Sequence, residues 1–174
     1  MANLQIPDNA CAYEEYDPTT LKPVNQSTCI RLQELGWTQD DFSGKSVLDI
    51  GCNSGILSLY ANKLGADSVR AVDVQAPFIE FFTSVVETHA LPINVEQTGF
   101  NDLRADTHAS DVVLFMEVLH WIIDQKGTIE DAIYKAASLA KETLFLETPW
   151  DTNEPSIANR GHIQADQYLS LIHI

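Results

Sequence analysis

A doubly wound α/β domain around a mostly parallel sheet is predicted by three observations. Segments of helical period alternate with short apolar runs along the chain. The apolar runs lack polar alternation, as strands buried on both faces require. Even the shortest connection between runs, residues 99–110, is about as long as a parallel crossover needs. A length of 174 residues suits one such domain, at a prior of roughly 150 residues per domain.

Residues 1–23 contain Pro7, Pro18 and Pro23 with little periodicity and read as an irregular lead-in. Asn25 caps a predicted helix to about Leu35, and Gly36 stops it. Residues 1–43 therefore form a lead-in and helix ahead of a core over 44–150. Ser46–Ile50 reads as a buried strand and Gly51 to Gly55 as a turn. Ile56, Leu57, Leu59, Tyr60 and Leu64 then follow at helical spacing up to Gly65. Ser68–Asp73 is the second strand. Pro77 suits a first helical turn. Phe78, Phe81, Phe82, Val85, Val86 and His89 trace one face of the helix that Pro77 begins. Ile93–Thr98 and Asp111–Met116 are the third and fourth strands. Thr128, with Asp131 three residues on, resembles a capping box. It opens a helix whose inner face is predicted to be Ile129, Ile133, Ala136, Ala137 and Ala140. Thr143–Leu146 is the fifth strand.

Charge narrows the function classes. The net charge of −15 disfavours nucleic-acid partners, because affinity for phosphate backbones comes mostly from Lys and Arg. Anionic membrane surfaces are disfavoured for the same reason. The three cysteines, Cys11, Cys29 and Cys52, form no CxxC, which points to a reducing compartment. Residues 1–5 lack the basic and apolar regions of a secretory signal. The most apolar run, Val112 to Met116, is stopped by Glu117 and is too short to span a bilayer. A cytoplasmic protein with small or neutral partners is expected.

In an open parallel sheet the ligand lies beyond the carboxyl ends of the strands. The first strand runs straight into Asp49-Ile50-Gly51-Cys52-Asn53-Ser54-Gly55 and then a helix. Gly51 and Gly55 accept positive φ without cost, and Asn53 is among the few other residues that visit it readily. The second strand ends in Asp73, 24 positions after Asp49. A carboxylate there accepts hydrogen bonds from two ribose hydroxyls, so the two loops together specify an adenosine-containing ligand. Neither GxGxxG nor GxxxxGK[ST] occurs at this turn. Asp49 just ahead of the turn is an awkward neighbour for a pyrophosphate. It suits a ligand with positive charge in its middle, such as the sulfonium and ammonium of S-adenosylmethionine.

VLDIGCNSG followed by SVRAVDV resembles the first two motifs of class I S-adenosylmethionine-dependent methyltransferases, over about residues 44–150. The family's Asp-x-Gly-x-Gly-x-Gly loop here has Asn53 for its middle glycine. The resemblance implies a Rossmann-like sheet, S-adenosyl-L-methionine as cofactor and S-adenosyl-L-homocysteine as product. It implies that Asp49 and the loop residues Gly51, Cys52, Asn53, Ser54 and Gly55 contact the methionine portion, and Asp73 the ribose. Val74 and Gln75 would lie beside the adenine, with Gly99 and Phe100 flanking its ring. Phe115 to His120, Met116 among them, matches the motif nearest the transferred methyl. Glu147 to Trp150 would wall the acceptor side.

His120 is the first candidate general base, since an unperturbed pKa of ~6.5 suits proton removal near neutrality. Glu117 and Glu147 come next. Plainer readings stand beside these: His120 as a wall residue next to Trp121, Glu117 as a holder of the cofactor ammonium, and Glu147 as a loop cap. Arg31 either pairs with the cofactor carboxylate or is an exposed helical arginine. Tyr13 and Tyr16 are candidates to close over the site, and His89 reads as a packed histidine. No HxxxH or HxH spacing supports a zinc site. Cys52 has no adjacent histidine or cation and reads as a small packing residue within the loop.

The spacing from VLDIGC through MEVLHWI to LFLETPW also resembles the methyltransferase module of bifunctional methyltransferase–kinases that terminate bacterial polysaccharides. That implies a glycan acceptor and a longer parent chain with a kinase region downstream. Family members complete the sheet with elements that the 24 residues after Trp150 are too few to supply. Residues 151–174 are therefore expected to be an incomplete tail and the sheet to be truncated after its fifth strand. Leu169 to Ile174 match the translation of a transposase adapter used for sequencing libraries, and as an artefact would belong to no natural fold. The expected function is methyl transfer from S-adenosylmethionine to a small-molecule or glycan acceptor. The alternatives are an NAD-linked oxidoreductase and a catalytically silent methyltransferase-like binding module.

Overall fold

The computed structural model describes residues 15–123 and 128–147, without the side chains of residues 120 and 123. Tyr13, Trp150, the tail and its last hexapeptide lie outside the described residues.

Continuous apolar runs flanked by helices build a five-stranded parallel sheet of order β5-β4-β3-β6-β7. Its strands are β3 (Ser46–Ile50), β4 (Ser68–Asp73), β5 (Ile93–Gln97), β6 (Ser110–Met116) and β7 (Ala140–Glu147). The chain moves outward from β3 through β4 to β5, then returns to place β6 on β3's other side. The order therefore reverses at β3, and in sheets of this kind a ligand binds beyond the carboxyl ends of the strands at such a switch point.

Both faces of the sheet are buried, as the lack of polar alternation requires. Val47, Val112, Leu114 and Met116 point to one face. They meet α3 (Ile56–Lys63) and α4 (Ala76–His89) through Ile56, Leu59, Phe82 and Val85. Leu48, Ile50, Val113 and Phe115 point to the other face, against α7 (Ile129–Leu139). The period of two along each strand and the helical stripes facing it are thus one pattern.

Helix α1 (Gln26–Glu34) starts where expected, with Asn25 Oδ1 accepting from the Thr28 amide at 2.8 Å. Helix α7 starts at the Thr128 box: the Asp131 amide donates to Thr128 Oγ1 at 3.0 Å, and the Thr128 amide donates back to Asp131 Oδ2 at 3.4 Å. The inner face of α7 differs in detail. Ala132, Ile133, Ala136 and Leu139 are buried, Ala137 faces out, and Ala140 already belongs to β7, which starts three residues earlier than its apolar run suggests.

The lead-in is more ordered than its prolines suggest, since β1 (Tyr16–Asp17) and β2 (Lys22–Pro23) form a small antiparallel hairpin. Asp17 nucleates its turn by accepting from the Thr19 and Thr20 amides at 2.7 and 3.1 Å. Helices α2 (Gln39–Phe42), α5 (Ala105–His108) and α6 (Leu119–Ile123) are one-turn elements too short to leave a periodic signal. Among the described residues no helix is long and apolar enough to cross a membrane.

Candidate active site

The turn after β3 is folded back onto β4: the Gly51 and Cys52 amides both donate to the Val72 carbonyl, at 2.8 and 3.0 Å. The turn then needs left-handed backbone at Gly51 (φ 76°), Asn53 (φ 49°) and Gly55 (φ 91°). Asn53 meets that demand as expected, and its Oδ1 accepts from the Ser54 amide at 2.7 Å. The two glycines are needed twice over. A Cβ on Gly51 would overlap the Val118 side chain, and one on Gly55 would overlap the ring of Phe82.

Asp73, at the end of β4, ties the two loops together. Its Oδ2 accepts from the Asn53 amide at 2.9 Å and its Oδ1 from the Gln75 amide at 2.9 Å. A carboxylate has about four acceptor positions, so lone pairs remain for further donors. Val74 beside it is 61% exposed, and the Gln97 side chain donates to its carbonyl at 3.0 Å.

Asp49 lies beneath the loop rather than at its mouth. It is 2% exposed, and Ser58 Oγ donates to its Oδ2 at 2.6 Å. Burial pushes this carboxyl up to about 6; the Ser58 hydrogen bond opposes the shift and the Asp73 charge adds to it. Cys52 packs into the core, leaving its backbone to the loop.

On the β5 side, Gly99 has extended backbone, and Phe100 opens a short 3-10 turn. The Phe100 ring stacks on Phe115 at 5.3 Å, with Lys135 Nζ 5.0 Å above it.

On the β6–β7 side, Glu117 follows β6 with φ 56°, a costly conformation for a non-glycine residue, and its amide donates to the Glu147 carbonyl at 2.8 Å. Arg31 of α1 grips Glu147 with both ends of its guanidinium, at 2.9 and 2.6 Å, and its Nη2 lies 3.8 Å from Glu117. The Arg31 side chain is 18% exposed, so it is not the exposed helical arginine of the plainer reading. Met116 is buried under this rim. The backbone of His120 lies on α6; its side chain is outside what is described.

Several contributors leave little trace in the sequence. Ser58 has one signal, a lone hydroxyl among Ile56, Leu57, Leu59 and Ala61 on a buried helix. Val118 and Phe82 read only as core residues. Tyr16 does not close over the mouth: it is fully buried, with its hydroxyl donating to the Ser54 carbonyl at 2.7 Å. His89 is packed, its Nε2 2.7 Å from the Pro18 carbonyl oxygen.

A reversing parallel sheet with a glycine turn after its central strand and a carboxylate ending the next strand defines a Rossmann-like nucleoside-binding domain. Within that class the chain belongs to the methyltransferase-domain family, whose model matches residues 47–142, and it is a class I S-adenosylmethionine-dependent methyltransferase domain. It is 32% identical over 102 residues to a ribosomal protein L11 methyltransferase of Ruminiclostridium cellulolyticum, covering 58% of this chain and 30% of that protein. It is 31% identical over 143 residues to a ubiquinone biosynthesis O-methyltransferase of Haemophilus ducreyi, covering 79% of this chain and 59% of that one. The bifunctional kinase-methyltransferase WbdD shares the fold, with a TM-score of 0.60 at 20% identity over 78% of this chain and 31% of that one. The chain thus spans between about a third and three fifths of the curated relatives it matches.

Proposed function

We propose that this domain binds S-adenosyl-L-methionine and transfers its methyl group to a hydroxyl of a small-molecule or glycan acceptor, releasing S-adenosyl-L-homocysteine. The observation that carries the reading is Asp73: one carboxylate joins the β3 and β4 loops through two amides and keeps acceptor capacity for a ribose diol. When bound, the cofactor supplies a methyl group already activated by a sulfonium leaving group.

The residues present fit that group. Asp49 and Asp73 give the crevice a negative field from below and beside it, which suits a ligand carrying sulfonium and ammonium charge. The Gly51–Gly55 backbone, with Cys52, Asn53 and Ser54, would hold the methionine portion, and Met116 would floor it. Val74, Gln75, Gly99 and Phe100 would border the adenine, where exposed Val74 offers apolar surface.

The chain's main task is orientation, which can be worth ~7–11 kcal/mol of barrier. A base for the acceptor hydroxyl adds roughly 10²–10⁴-fold. His120 is the first choice for that base. Both oxygens of Glu147 are engaged by Arg31, which favours Glu117 over Glu147 as second choice. Arg31 in turn would have to exchange Glu147 for the cofactor carboxylate to serve as its ligand. The O-methyltransferase relatives support a hydroxyl acceptor, and the kinase-methyltransferase likeness in fold is compatible with a longer parent chain. No nucleic-acid partner is proposed, and a cytoplasmic location fits this chemistry.

Calorimetric titration of the purified chain with S-adenosylhomocysteine, S-adenosylmethionine and NAD tests the reading. Heat and thermal stabilisation with the first two and none with NAD are expected, since only a ligand of the folded state stabilises it by mass action. A folded protein that binds neither sulfur nucleoside would overturn it.

A further inference from the structure

Tyr16 reaches the cofactor loop from outside the region that the family match covers, 38 residues before the Ser54 it holds. Its hydroxyl donates to the Ser54 carbonyl at 2.7 Å, and its ring is fully buried with its centroid 5.9 Å from that of Phe81. The hairpin carrying it is anchored a second time, where His89 Nε2 of α4 meets the Pro18 carbonyl oxygen at 2.7 Å. Burial raises the Tyr16 hydroxyl far above its ordinary range, and the nearby Cys52 adds to the shift, so it stays a donor at every working pH.

The peptide it grips is a decisive one. Ser54–Gly55 is the peptide that leads into the N-cap of α3, where Gly55 adopts φ 91°. The Gly55 amide of that peptide donates to the Cys52 carbonyl at 2.8 Å, while its carbonyl oxygen points to Tyr16. One residue earlier, the Asn53 amide is held by Asp73. The loop is therefore fixed from two sides, by the ribose-side carboxylate of β4 and by the N-terminal hairpin.

We propose that Tyr16 is a positioning residue for the cofactor loop: its hydroxyl orients the Ser54–Gly55 peptide and presets the loop for S-adenosylmethionine. This rests on the proposed function, and preorganisation is its physical content, since a loop already in its bound shape is not ordered at the cost of affinity.

Tyr16→Phe keeps the ring and removes the hydroxyl. The dissociation constant for S-adenosylhomocysteine is expected to rise about fivefold, the effect of losing one hydrogen bond of ordinary net strength. Leu139→Ala, on the opposite face of the sheet, is the stability control: it lowers the melting temperature and leaves that constant unchanged. In hydrogen exchange, the amides of residues 53–58 are expected to exchange faster in Tyr16→Phe than in Leu139→Ala at matched stability. Binding by Tyr16→Phe within twofold of the wild type, or loop exchange equal to the control's, would overturn the role of Tyr16 alone. Failure of the wild-type chain to bind would instead overturn the functional reading beneath it.

Discussion

The two halves of the crevice hold their carboxylates by different means. On the β3–β4 side Asp73 is held by two backbone amides and Asp49 by a serine hydroxyl, so neutral donors fix both groups and none cancels their charge. On the β6–β7 side Glu147 and Glu117 face a cation, Arg31, from a helix 116 residues away from Glu147 in sequence. The first arrangement keeps a negative field for a positively charged ligand. The second compensates charge and ties the N-terminal helix to the far side of the sheet. The β3–β4 side is thus built to attract a cation, as the proposed cofactor site requires, and the β6–β7 side to hold its own elements together.

Removing Asp73 is the most severe test of that contrast. Asp73→Ala loses two amide bonds to a carboxylate, each worth ~1.5–3 kcal/mol, together with the ribose contact proposed for it. S-adenosylhomocysteine affinity is expected to fall by roughly 100-fold or more. Titration calorimetry reads this directly, and an unchanged affinity would show that the β3 and β4 loops do not form the nucleoside site.

Gly55→Ala probes the same half through packing. The new methyl would meet the Phe82 ring at a φ that L-residues reach at a cost of ~1–2 kcal/mol, with overpacking adding ~1–3 kcal/mol. A drop in the urea midpoint equivalent to about 3 kcal/mol is expected. Gly36→Ala, also at positive φ but with nothing near its Cβ, should cost only the backbone part.

This contrast also explains what could be read in advance. Along the β3–β4 half, the turn itself is signalled by residue type: a glycine turn, an αL-tolerant Asn53, and a carboxylate ending a strand 20 residues from the Asn53 amide it holds. The buried partners Tyr16, Ser58, Phe82 and Val118 carry little such signal. The strand order and both core faces follow from apolar runs that are long and unbroken. The acceptor half depends on meetings that no local pattern encodes. Nothing around Arg31 or Glu147 announces their pairing, and Glu117 gives no hint of its positive φ, because a bond between the ends of a fold is set by tertiary geometry. The β1–β2 hairpin was illegible for a related reason: two residues per strand are too few to show alternation.

Asp49 gives the β3–β4 half a pH dependence. Its carboxyl holds a proton in the folded state up to about 6, whereas the unfolded chain releases it near 3.8. Between those values the folded state binds more protons, so this group's contribution to stability declines as pH rises from about 4 to about 6. Asp49→Asn, which can still accept from Ser58, is expected to be more stable than wild type at pH 8 and equal to it at pH 4. A cationic ligand favours the ionised carboxylate in turn. The affinity ratio of S-adenosylmethionine to S-adenosylhomocysteine, which lacks the sulfonium charge, is therefore expected to rise several-fold from pH 5 to pH 7.5. That rise should vanish in Asp49→Asn; a ratio flat with pH in the wild type would mean that the sulfonium does not sense Asp49.

The smallest effects belong to the rim of β6 and β7. Arg31 and Glu147 are 18% and 32% exposed, so solvent screens their pair and a double-mutant cycle of Arg31→Ala with Glu147→Gln should give a coupling of about 1 kcal/mol. Arg31→Ala alone is expected to cost more than Glu147→Gln alone, because it leaves Glu117 and Glu147 facing each other without their shared cation. If the guanidinium serves the clasp, both variants bind S-adenosylhomocysteine within twofold of the wild type. A tenfold loss confined to Arg31→Ala would reassign it to the cofactor carboxylate, and the charge-compensated rim would then be only the resting arrangement of a residue that changes partners when the nucleoside enters.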